Sequence, residues 1–306
     1  MSEHLGELYG LITALCWATG GVMFSRIPLP AWALNLSKNV IAGGLLVVTV
    51  LAVAFARGGP VSVADLEVLA WLVPSAFVGI VLGDTWFLQC VKTLGPRKAL
   101  VIETLVPPFG LLLGWFVLGE VVGATGLLGI GVTLLGVLFV VGDRPDPPTA
   151  SPGATSARAG AWAGVLAAAA QAVGAALSKK GILLLDERGA SDSTLEASAC
   201  RVVVAALLGL GIAGARGRLA SVRSAVARPG VLPRLVPAAI AGTFLGIWFS
   251  MLTFKHTSIA VATTLCALTP VFVLPIVAVF LKHRVTVRGA VGALVAVVGV
   301  AVLVSA

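Results

Sequence analysis

Ten stretches of this chain, read approximately as 7 to 25, 32 to 55, 68 to 90, 98 to 118, 121 to 142, 160 to 178, 193 to 215, 234 to 254, 258 to 281 and 285 to 305, are apolar and nearly free of charge. Each is long enough to cross a bilayer as a helix, since about 20 residues span the hydrocarbon core. Lipid offers no partner for a bare backbone N–H or C=O, so only helices and closed barrels can span it. Long unalternating runs of Ala, Leu, Val and Gly do not suit barrel strands, which alternate apolar and polar side chains. With 58% hydrophobic and 11% charged residues, the composition lies far from soluble globular usage, in which roughly a quarter of residues are charged. The expected fold is all-α, a polytopic membrane protein of ten transmembrane helices, with the shortest break around Glu120.

The chain is internally duplicated. Pro74, Gly79, Gly83, Lys92, Pro107, Phe109, Gly126, Gly129 and Gly136 recur, without a gap, as Pro237, Gly242, Gly246, Lys255, Pro270, Phe272, Gly289, Gly292 and Gly299, an offset of 163 throughout. Gly6, Gly10, Ala14, Ala18 and Gly20 recur at an offset of 154 as Gly160, Gly164, Ala168, Ala172 and Gly174. Setting Asn39 on Arg201 brings the second helices into register as well. Glycine and proline fix where helices approach and bend, so what has been duplicated is a shape. Each unit has five spans, an odd number, so the second copy must enter the membrane from the opposite face. The repeats are therefore inverted, the arrangement by which secondary carriers alternate access around a midplane site. The expected units are residues 1–142 and 160–306, joined by the polar, proline-rich stretch 143–159.

The net charge of +8 does not point to nucleic acid, because the basic residues are scattered through short loops and form no stripe or arm. With ten spans, both termini share a face. That face carries Arg57, Lys179, Lys180, Arg188 and Lys255; the other carries fourteen Lys and Arg, among them Arg216, Arg218, Arg223, Arg228 and Arg234. The positive-inside rule would put the termini outside the cytoplasm. The segment before the first span has no Lys or Arg, so that span reads as a retained helix rather than a cleaved signal. Cys16, Cys90, Cys200 and Cys266 all fall within spans and at no metal-ligand spacing, which suits small apolar side chains.

Several motifs resemble one known family. They are Gly83-Asp84 at the head of GDTWFLQCVKTLG, ETLVPP from Glu103 to Pro108, LGE from Leu118 to Glu120, LTPVF from Leu268 to Phe272, and the glycine-rich fifth helix of each half. In order, spacing and duplication they are similar to the drug/metabolite transporter superfamily, in particular its EamA-type ten-helix exporters, over nearly the whole chain. The second copy departs at the LGE position, which reads Leu281-Lys282-His283. The resemblance implies movement of a small organic metabolite, such as an amino acid, across the cell (inner or plasma) membrane, with export the expected sense. Relatives that carry nucleotide sugars are usually given cytosolic termini, opposite to the charge count, so sidedness stays open.

An ionisable group inside a span is costly unless it faces protein or water, which makes each a candidate for the substrate path. Lys38 and Arg201 lie early in the second helix of each half. Asn35 and Asn39 share the face of Lys38 by their spacing, and the set would suit an anion or carboxylate. The alternative for Lys38 and Arg201 is a cation snorkelling to the membrane interface, or a structural pair with Glu103 or Asp84. Glu103, four residues before Pro107, is the candidate coupling carboxyl for proton exchange, and its counterpart is Cys266. Asp84 is expected to pair or cap near a helix end. Trp17, Trp86, Gln89, Gln171, Trp248 and Phe249 are candidate pocket residues. Gly79, Gly83, Gly242 and Gly246 are expected to pack helices, and Pro107 and Pro270 to bend them. No phosphate loop, His-Glu-x-x-His helix or Gly-x-Ser-x-Gly elbow occurs, so neither an ATP-driven pump nor an enzyme is indicated, and no cofactor or metal is called for. A secondary carrier in the lipid bilayer, with a small-molecule substrate and protons as coupling partners, is expected as a monomer or homodimer. The alternative is a membrane enzyme or lipid-assembly factor acting on a lipid-linked substrate.

Overall fold

The computed structural model describes residues 4–24, 26–58, 61–94, 96–141, 157–281 and 286–305. These form ten long helices: α1 (Leu5–Phe24), α2 (Ala31–Arg57), α3 (Leu66–Ser75, Ala76–Gly83 and Asp84–Leu94 in continuity), α4 (Pro96–Glu103, Val106–Leu113 and Gly114–Leu118) and α5 (Ala124–Val141), then α6 (Ala157–Glu187), α7 (Ser193–Ala215), α8 (Leu232–Ala239, Ile240–Leu245 and Gly246–His256 in continuity), α9 (Ile259–Cys266 and Thr269–Leu281) and α10 (Val287–Val304). Among the described residues, nine helices are long and apolar enough to cross a membrane, and Ala124–Val140 is a shorter apolar tenth. The protein is a multi-pass membrane protein. Large apolar side chains such as Leu51, Phe55, Phe116, Leu128, Leu207 and Leu294 stand exposed on its outside, as lipid contact requires.

The duplication is visible in backbone detail. Pro74 and Pro237 lie inside helices, where the missing N–H breaks the hydrogen-bond ladder, and each is followed by a widened π segment, Ala76–Gly83 in α3 and Ile240–Leu245 in α8. The two fourth helices also break at equivalent places, at Thr104 and Leu105 in α4 and at Ala267 and Leu268 in α9. Pro107 and Pro270 sit in the first turn of the segments that follow, where proline's fixed φ is favourable.

Helix α6 runs on through Lys179 and Lys180 to Glu187, well beyond the expected end at 178, because Lys179 is neutralised inside the bundle by Glu120. The connection around Glu120 is not the shortest. Gly119, at φ 68, ends α4 in the left-handed region, and α5 begins only at Ala124, whereas α8 and α9 are joined by Thr257 and Ser258 alone. A short helix, Leu219–Val226, interrupts the expected loop between α7 and α8; Val222 is buried against Ala33, Leu36 and Ala213, and Arg218 stacks over Trp32 at 5.5 Å. Residue 142 and residues 143–156 of the expected linker, and Lys282, His283 and Arg284, lie outside the described residues.

The glycines show how the halves interlock. A Cβ placed on Gly20 of α1 would lie 2.4 Å from Cα of Gly242 on α8, and one placed on Gly174 of α6 would lie 2.8 Å from Cα of Gly79 on α3. The same relation recurs along both helices: Gly10 abuts Leu265 while Gly164 abuts Ile102, and Gly6 abuts Thr257 while Gly160 abuts Thr93. Each half therefore lays its first helix on the third and fourth helices of the other half. The remaining counterparts pack antiparallel to each other. Gly43 of α2 meets Val202 and Gly209 of α7 meets Leu36, while Gly129 of α5 meets Leu303 and Gly292 of α10 meets Val140. Antiparallel counterparts are what inversion requires.

Candidate functional site

The polar side chains of the bundle interior gather where α2, α3, α4, α6, α7 and α8 converge. On α2, the Asn39 amide donates to Asn35 Oδ1 at 3.4 Å, and Lys38 Nζ donates to Asn39 Oδ1 at 3.3 Å and to Asp84 Oδ2 at 3.2 Å. One helical face brings Asn35 and Asn39 together, and the widened turn ending at Gly83 delivers Asp84 to Lys38. Asp84 thus pairs inside the bundle rather than capping a helix end. Glu103 is the last residue before the break in α4, and its Oε1 accepts from the Gln171 amide of α6 at 3.3 Å. Gln171 itself lies against Gly83, where a Cβ would meet its Cγ at 3.4 Å. Asp84 interacts electrostatically with both Glu103 and Arg201, so the four charges belong to one field.

Arg201 is buried on α7. Its Nη1 lies 3.7 Å from Met251 Sδ, and a Cβ on Gly79 would lie 3.1 Å from its Nη2. Trp17 of α1 covers Gly246, the counterpart of the contact between Gln171 and Gly83. Trp248 of α8 packs edge-on to Phe244 at 6.1 Å and beside Phe249 at 6.2 Å, with its Nε1 buried and unpartnered. Trp86 is half-buried on the same helix as Asp84. Gln89 is exposed further along that helix and does not join the cluster.

Ion pairs gather toward the face of the chain termini. Glu120 accepts from Lys179 through Oε1 and from the Ile259 backbone N–H through Oε2 at 2.7 Å, and Lys179 also donates to the Thr257 carbonyl. Lys255 pairs with Asp186 at 2.7 Å, Arg57 with Asp192 at 3.7 Å, and Arg188 with Asp65 and Glu67. Glu196, fully buried near the start of α7, accepts from the backbone N–H groups of Ser62 and Val63 at 2.8 and 3.0 Å. Among the described residues, every ion pair except Lys38–Asp84 lies on this face. Sequence reasoning passed over Lys179, Glu196 and Met251. Glu120 had a signal in the LGE motif, but its partners are distant in sequence.

Ten helices in two inverted, interlocked repeats around a charged interior define a membrane-transporter architecture. The model of the EamA-like transporter family matches residues 4–142 and again 158–305. The chain belongs to that family, whose members are typically membrane transporters of small molecules. A protein crystal structure superposes with a TM-score of 0.73 at 18% identity, covering 99% of this chain and 98% of its own. That likeness shows the fold. No curated protein matches the sequence.

Proposed function

We propose that the protein is a secondary carrier that exports a small organic metabolite across the cell membrane by alternating access, with Glu103 exchanging protons. The observation that carries the reading is the crossed pair of glycine contacts, Gly20 with Gly242 and Gly79 with Gly174, flanking a charged interior. Two five-helix units, residues 1–142 and 160–306 joined by 143–159, lend each other their first helices. The bodies that move are then α1 with α8 and α9, and α6 with α3 and α4. Backbone-to-backbone glycine contacts let such bodies pivot with little side-chain rearrangement. The ion pairs around Glu120, Lys255, Arg57 and Arg188 hold the termini face shut in this conformation, and opening that face requires breaking them.

Glu103 suits coupling because its hydrogen-bond partner is a neutral amide, which tolerates either protonation state, whereas Asp84 is tied to Lys38. Its place beside the break in α4 links protonation to a point where the backbone can bend. In sealed proteoliposomes, a pH gradient should drive substrate accumulation, and Glu103→Gln should abolish that drive while leaving substrate exchange intact. Gradient-driven flux that survives the substitution unchanged contradicts the coupling role. Chemical modification of the substrate in place of its movement contradicts the carrier.

A further inference from the structure

Resting on the carrier reading, we propose that Arg201 is the anchor for a single carboxylate on the transported metabolite. The residue is 7% exposed, and among the described residues its Nε has no hydrogen-bond partner and its one polar contact is the thioether of Met251 at 3.7 Å. Among the described residues no carboxylate lies within 4.0 Å of it. The interior lysines are treated otherwise: Lys38 holds Asp84 and Lys179 holds Glu120. A buried cation without a counter-ion is strongly unfavourable, and an arriving anion removes that penalty. A guanidinium also offers a planar fork that takes a carboxylate through two parallel hydrogen bonds.

The surroundings are shaped for this use. Gly79 admits the guanidinium against α3, since a Cβ there would press on Nη2 at 3.1 Å and on Cα of Gly174 at 3.2 Å. Trp248, three residues before Met251 and so on the same side of α8, contributes a second buried N–H donor without an acceptor. Buried donors without acceptors therefore stand on both α7 and α8. Lys38 and Asp84 cancel, which leaves Arg201 as the interior cation without a paired carboxylate and favours a ligand of one negative charge over a phosphate dianion.

The test compares the parent with Arg201→Gln and Arg201→Lys by thermal melting in detergent, with acetate, pyruvate, benzoate, L-leucine and L-phenylalanine, each beside its primary amide, and with inorganic phosphate. The same radiolabelled compounds are then followed into proteoliposomes. One or more carboxylates should stabilise the parent and move, while their amides and phosphate should not. Arg201→Gln, folded as judged by its ligand-free melt, should weaken that binding by roughly 30-fold or more, and Arg201→Lys should lie between. An amide or phosphate that matches the carboxylate, or a carboxylate effect that persists in Arg201→Gln, overturns the anchor. Movement of only neutral or cationic compounds overturns it and leaves the carrier standing. If no compound of either kind moves, both readings fall.

Discussion

Gly20 and Gly21 are neighbours on α1, yet alanine at the two positions should move stability in opposite directions. At Gly20 the new methyl would sit 2.4 Å from Cα of Gly242 and 2.9 Å from its backbone nitrogen, whereas at Gly21 nothing lies within 4 Å. Carbon atoms rest at about 3.5–4.0 Å, so α1 and α8 would have to part by about 1 Å or more. Both atoms met are backbone, so no side chain can yield instead. Overpacking of this kind costs about 1–3 kcal/mol, against a gain of at most ~1 kcal/mol in helix propensity on replacing glycine. Gly20→Ala should therefore lose up to ~2 kcal/mol and Gly21→Ala gain up to ~1 kcal/mol. Gly174→Ala should behave like Gly20→Ala, because its methyl would meet Cα of Gly79 at 2.8 Å. Reversible unfolding in mixed micelles reads the three variants against the parent. Equal stability of Gly20→Ala and Gly21→Ala would refute the crossed packing of the two halves.

Removing one member of the Glu120–Lys179 pair should cost about 3 kcal/mol, since the other stays buried and charged. Glu120→Leu with Lys179→Met should recover much of that loss, and a double-mutant cycle without coupling would show that the pair does not close the termini face. Glu196→Gln keeps one acceptor oxygen but loses the charge that holds two backbone N–H groups, and should lower stability by about 1–3 kcal/mol. Faster amide exchange in residues 61–66 should accompany it, and unchanged exchange would deny Glu196 its part in ordering the start of α3. Lys38→Met should impair transport more than Lys38→Met combined with Asp84→Leu, since the single change strands a carboxylate. A double variant that is worse than the single would instead show that Asp84 has a task of its own.

Much of this architecture is written in apolar run lengths and in the spacing of glycine and proline, because membrane helices are set by local chemistry. Pro107 and Pro270 announce the breaks in α4 and α9, and the offset of 163 announces that the breaks match. Which helix a glycine meets is a tertiary fact, so the exchange of α1 and α6 between the halves is not legible in one sequence. Lys179 reads as a loop residue until Glu120, 59 positions away, is placed beside it. Lys38 and Arg201 fall one position apart in the aligned repeats, yet Asp84 is matched by Ile247, so only Lys38 acquires a local counter-ion. The helix Leu219–Val226 was hidden by its shortness and its polar flanks.

If the repeats are inverted, equivalent connections must emerge on opposite sides of the membrane. Exposed Ala64, between α2 and α3, and exposed Ala227, between α7 and α8, occupy equivalent connections of the two halves. In a background with Cys16, Cys90, Cys200 and Cys266 replaced, Ala64→Cys and Ala227→Cys can be labelled separately in sealed, oriented vesicles with an impermeant maleimide. The two should react from opposite sides. Reaction of both from the same side would contradict the inverted architecture and the alternating-access account built on it.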